Sequence, residues 1–198
     1  YFNGALIRAL STGFAQALET AVHEAKHISS FSQGIARSNR AGTTSFQPSW
    51  VEEGAAEIAS NVASRRAWQS VGGPPANARV TGQMIDELGI NENDEIRPEA
   101  LGVFIRLVRA HDYLTSQPNG IIVTPTGAGQ GHSVYGTGWT FLRWMGDAYG
   151  GAGTAPYADA SFWTSQNDSL TAAGAAGLAA ITGKSFAVLL EEYAAGVM

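Results

Sequence analysis

No cysteine occurs among the 198 residues, so neither a disulfide framework nor a thiolate metal site is available, and any metal must be held by histidine and carboxylate. Lysine is almost missing, with only Lys26 and Lys184 present. Together with a formal charge of −5 and a pI near 5.3, this leaves no basic surface of the kind nucleic acids select. No window approaches the roughly 18 consecutive apolar residues of a membrane span, and the N-terminus lacks the basic-then-apolar layout of a signal peptide. The chain starts at Tyr1 rather than Met, which points to a processed or excised protein. Its poverty in lysine and abundance of Ala, Gly, Thr and Ser point to an exported bacterial protein, extracellular or periplasmic.

What is present is enough for a core: 44% of the residues are apolar, and the length suits a single domain over 1–198 with a C-terminal helical part from about 155. From Leu6 to about Ser32, the residues Leu6, Leu10, Phe14, Leu18, Val22, Ala25 and Ile28 recur at spacings of three and four, the stripe of a helix. A polar loop is expected over "SQGIARSNRAGTTSFQPS", then a second helix over "SWVEEGAAEIASNVASRRAW" with Pro48 just outside it. Pro98 can open a third, with Leu101, Phe104, Ile105 and Val108 as its apolar stripe. "GIIVTPTGAGQGHS" reads as a short strand or β-hairpin followed by a loop, and "VYGTGWTFLRWMGDAYGG" and "SFAVLLEEYAAGV" as two further helices. The expected class is mainly α, and no internal repeat occurs.

Only four histidines exist, and two of them, His23 and His27, share the first helix as His23-Glu24-x-x-His27. Residues four apart stand one turn above each other, so both imidazoles can aim at one point about 2.0–2.1 Å from each nitrogen. Glu24, about 100° around the axis, lies beside that point, where it can take a proton from a metal-activated water. A metzincin would need Gly at 30 and His at 33, but Ser30 and Gln33 stand there. No aspartate precedes Asp86 and no histidine lies between His27 and His111, so the only candidates for a third ligand within the next helix are Glu52, Glu53 and Glu57. Ser49-x-x-Glu52 has the form of a capping box, which would occupy Glu52 at the helix start. That leaves Glu53 as the free carboxylate, with Glu57 one turn deeper as an acceptor for a histidine N–H.

These residues resemble the gluzincin zinc metallopeptidases, in which a helix-borne HExxH is completed by a glutamate in a W-x-x-E-G-x-A segment, here "WVEEGAAE". The resemblance implies a zincin-like helical catalytic domain with Zn2+ on His23, His27 and Glu53 and Glu24 as general base. "VYGTGWTFLRWMGDAYG" is similar to the Y-x-x-G-x-x-x-L helix of aminopeptidase-like and hyicolysin-like members, which implies that Tyr135 assists the tetrahedral intermediate. The segment G-x-M-E-N, which grips a free amino terminus in the aminopeptidases, does not occur, so the implied activity is endopeptidase cleavage of a peptide or protein substrate. His132, in the glycine-rich stretch before Tyr135, is a second candidate donor to the oxyanion. The alternative from another class is a non-catalytic helical module that binds peptides, or a domain with a structural metal.

Overall fold

The computed structural model describes residues 14–42, 46–76, 78, 80–116, 131–150 and 172–197. Its described elements are helices: α1 (Phe14–Ala41), α2 (Ser49–Ser70), α3 (Gly82–Met84, running into a π-helical turn Ile85–Gly89), α4 (Leu101–Ser116), α5 (Gly131–Tyr149), α6 (Gly174–Thr182) and α7 (Phe186–Val197). The only pairing of extended backbone among the described residues is the Ile90–Ile96 bridge, so the fold is mainly α as expected. The β-hairpin expected near 120–130 lies outside the described residues. No single described helix is long and apolar enough to cross a membrane.

Helix α2 is the centre of the assembly. It packs on α1 along one side and on α5 along another, and it also touches α4. With neighbours all round, α2 carries both apolar and polar residues inward, which is why Trp50, Val51, Ala55 and Ile58 are buried alongside Glu52, Glu57, Ser60 and Ser64. The α2–α5 crossing is close because both helices present glycine there. A Cβ on Gly54 would come within 2.7 Å of the Gly138 backbone, and one on Gly138 within 2.7 Å of the Trp50 carbonyl oxygen. Around that crossing the main core gathers Trp50, Val51, Ile58, Phe141, Leu142, Met145, Leu178, Leu189 and Tyr193. Each such large side chain contributes about 1.5–3 kcal/mol by leaving water. A smaller cluster of Trp68, Ala100 and Val103 closes the far end of α2, where the Trp68 indole donates to the Leu88 carbonyl at 3.1 Å.

Three departures from the sequence reading have physical causes. Helix α1 runs on to Ala41, through the stretch expected as a loop. Gly34 tolerates the helix and leaves room for the Phe46 ring, which a Cβ there would strike, and the chain turns only at Gly42, whose φ is +65°. Ile28, assigned to the inward stripe, is 71% exposed, and with Phe31, Ile35 and Phe46 it forms an outward apolar face. On α4, Val108 is exposed while Arg106 is buried, because Arg106 turns inward to carboxylates of α1 and α2 and sets the rotation of the helix. The short helices α3 and α6 were missed by pattern; "GAAGLAAIT" is helical although it carries two glycines.

Candidate metal centre

Helix α1 carries His23 and His27 one turn apart, and the start of α2 brings the carboxylates to them. Pro48, with extended ψ of 152°, cannot continue a helix backwards, so α2 begins at Ser49. The Pro48 carbonyl accepts the amides of Val51 and Glu52, each at 3.0 Å. The expected capping box does not form: no side chain caps α2. Glu52 is 6% exposed and faces α1 instead, where its Oε1 lies 3.0 Å from His27 Nδ1 and its Oε2 accepts from the Ser30 hydroxyl. Two charge-assisted bonds in a buried site outweigh one local cap to a backbone amide.

Three ligand atoms converge on one point. His23 Nε2 and His27 Nε2 are 3.1 Å apart, and Glu53 Oε2 lies 3.3 Å from the first and 3.5 Å from the second. The imidazole planes stand at 79° to each other. A tetrahedral ion with bonds of about 2.0–2.1 Å sets its ligand atoms about 3.3–3.4 Å apart, the same spacing as these three. His27 Nδ1 faces Glu52 Oε1 at 3.0 Å and His23 Nδ1 faces Glu57 Oε1 at 3.7 Å, and in the tautomer with both ring protons on Nδ1 the two Nε2 lone pairs turn towards Glu53. Glu53 Oε2 is buried and has no hydrogen-bond donor among the described residues. One proton on either Nε2 would serve one contact and leave the other lone pairs opposed, whereas a divalent cation serves all three. The spacing and donor types of His23, His27 and Glu53 thus fit a divalent metal ion.

Behind His23 lies a buried charge network. Glu57 Oε1 stands 3.7 Å from His23 Nδ1, beyond direct hydrogen-bond reach, and 3.1 Å from Arg109 Nη1. Its Oε2 lies 2.9 Å from Arg106 Nε, whose own hydrogen is directed at the Glu57 carbonyl. Arg106 is 4% exposed and also donates to the Gly102 carbonyl at 2.6 Å and to Ser60. Glu19 receives Ser64 and lies 3.6 Å from Arg106; burial, more than any other influence, raises its carboxyl above the usual value.

Tyr135 projects from the start of α5 to this side of the site, its ring centred 6.2 Å from that of His23 and 5.3 Å from the Arg109 guanidinium. Burial first, and then the charge of Glu53, raise its phenol above the usual value, so it remains a hydrogen-bond donor. Glu24 is exposed on the open face of α1 and also adds to the negative field at Tyr135. His132 falls in the first turn of α5, and its side chain lies outside the described residues. His111, which the sequence gives no role, is exposed beside Asp112.

The residues that sequence reasoning missed are Glu52 as the partner of His27, Ser30 beneath it, and Arg106 and Arg109 around Glu57. Two ligating histidines need two acceptors, and adjacent glutamates at the start of α2 were the available signal for Glu52. Comparisons with protein families, curated proteins and solved structures give no match to this chain.

Proposed function

We propose that this chain is a zinc-dependent peptidase of gluzincin type, with His23, His27 and Glu53 holding the ion. The observation that carries this reading is the triangle of two Nε2 atoms and one carboxylate oxygen at 3.1, 3.3 and 3.5 Å. Zinc, when bound, supplies Lewis acidity towards the scissile carbonyl and makes a nucleophilic water accessible at neutral pH. The remaining work falls to side chains. Glu52 fixes the His27 imidazole by accepting a hydrogen bond from its Nδ1–H, and Glu57, at longer range, places a negative charge beside His23 Nδ1. Glu24, exposed next to the ligands, takes a proton from the attacking water as oxygen adds to the carbonyl carbon. It then delivers the proton to the amine as the C–N bond breaks. Tyr135, kept protonated, donates to the carbonyl oxygen as negative charge develops there.

Metal analysis and turnover of a mixed peptide library, compared between the parent chain and Glu24→Gln, test the reading. About one zinc per chain and cleavage that disappears with Glu24→Gln are expected. Retained zinc with no Glu24-dependent cleavage would instead support a module that binds peptides without cutting them.

A further inference from the structure

The two arginines of α4 sit one turn apart, and their surroundings differ. Arg106 is 4% exposed, and all three of its guanidinium nitrogens meet protein acceptors: the carbonyls of Glu57 and Gly102 and the hydroxyls of Ser60 and Ser64. It is a structural cation. Arg109 has a side chain 24% exposed and lines a cleft of about 300 Å3 together with His23, Tyr135, Thr20 and Ile105. Among the described residues its one protein hydrogen bond leaves from Nη1, to Glu57 Oε1 at 3.1 Å, while Nε is buried without a partner. The Nη1 bond and the contact with the Tyr135 ring at 5.3 Å hold the guanidinium still. Nε is enclosed, so the donor left to a ligand in the cleft is Nη2, which makes no protein hydrogen bond among the described residues and is not enclosed.

We propose that Arg109 reads a carboxylate of the substrate, so that the preferred peptides carry a negative group beside the scissile bond on the His23 side of the centre. The proposal rests on the peptidase reading and deepens it by naming a substrate class. The chemistry is a carboxylate, supplied either by an Asp or Glu side chain or by a free C-terminus. Three features favour it over a neutral partner. Nη2 is a charged donor, the Nη1 bond and the Tyr135 ring hold its guanidinium in place, and Glu57, which neutralises part of it, is itself shared with Arg106.

The test uses binding, so that it stands apart from turnover. Zinc-loaded full chain carrying Glu24→Gln is titrated, by fluorescence anisotropy, with labelled peptide pools in three matched forms. One is amidated with Gln at the randomised position, one is amidated with Glu there, and one has Gln there with a free C-terminus. One of the two acidic forms is expected to bind about 10-fold or more tightly than the neutral form. Which form does so identifies the source of the carboxylate. Adding Arg109→Met should collapse the ratio to near one, and Arg109→Lys should leave an intermediate ratio, since it keeps the charge but loses the fixed guanidinium held by Glu57 and Tyr135. Zinc content is measured on each variant. Equal binding of all three forms to the parent, binding of none, or an acid-to-amide ratio that survives Arg109→Met would overturn the proposal. Failure of the peptidase reading would show separately, as absent cleavage by the chain with native Glu24.

Discussion

The two long faces of α2 follow opposite rules. Towards α5 it presents Trp50, Val51, Gly54, Ala55 and Ile58, which are held by volume alone. Towards α1 and α4 it presents Glu53, Glu57, Ser60 and Ser64 at spacings of four, three and four, with Glu52 beside them; all but Glu53 are held by a named partner, and Glu53 Oε2 faces the two histidines with no hydrogen-bond donor among the described residues. The apolar face tolerates exchange of shape for similar shape, because dispersion and burial are non-directional. The polar face does not, since a buried charge without its partner costs several kcal/mol. One helix thus joins a stabilising core to the His23, His27 and Glu53 cluster, and the surroundings of the histidines are set from the polar side.

That contrast is broken most forcefully by substitutions of similar cost on opposite faces. Phe141→Ala, in the core that receives the apolar face, should lower stability by about 3–5 kcal/mol by opening a cavity, yet leave the zinc affinity of the folded protein unchanged. Arg106→Met should cost about 3–5 kcal/mol as well, by stranding Glu19 and leaving Glu57 with Arg109 as its one guanidinium partner, and should weaken zinc binding too, because Glu57 beside His23 is then held from one side alone. Denaturant unfolding of the metal-free proteins and zinc titration of the folded ones measure both. Equal effects on affinity would show that the two faces are not separable.

The next largest effect concerns catalysis. Tyr135→Phe deletes one hydroxyl and keeps the ring contact with Arg109, so kcat and kcat/KM should fall together by about 10²–10³ while KM and zinc content stay near normal. A smaller effect separates the two carboxylates behind the histidines. Glu52→Ala should weaken zinc roughly 10–100-fold, and Glu57→Ala less, because Glu52 stands 3.0 Å from its imidazole and Glu57 3.7 Å from the other. Loss of stability alone in Glu52→Ala, with unchanged affinity, would restore the capping role that the sequence suggested.

The smallest effect is a pH dependence. Burial raises the Glu19 carboxyl above its ordinary 4.5, so the native chain holds that proton more tightly than the unfolded chain does. The contribution to stability is therefore full below the unfolded value and is lost as pH rises through the native one. Glu19→Gln should flatten that part of the profile above pH 4.5, as read from unfolding midpoints across pH.

The main-α class, the two histidines and the choice of Glu53 were all readable from residue types and spacing, because a helix converts a four-residue interval directly into proximity. The choice of Glu53 rested on a capping box that does not form, although Glu53 does lie beside the two histidines. The rotation of α4 was not readable: a pattern weighs Val108 above Arg106, and only the carboxylates arriving from α1 and α2 make the arginine the buried member. The apolar face of Ile28, Phe31 and Ile35 failed for the same reason, since periodicity marks a stripe without saying which way it points.

The claim on which all of this turns is that three lone pairs on α1 and α2 enclose a divalent cation. X-ray absorption at the zinc edge, on chain loaded with one equivalent of zinc, measures that enclosure directly. The account predicts one zinc per chain with the outer-shell scattering of two imidazoles and about 2.0–2.2 Å to its nitrogen and oxygen neighbours, a signature disrupted by Glu53→Ala. A spectrum of oxygen neighbours alone, without imidazole scattering, or one unaltered by Glu53→Ala, would contradict it.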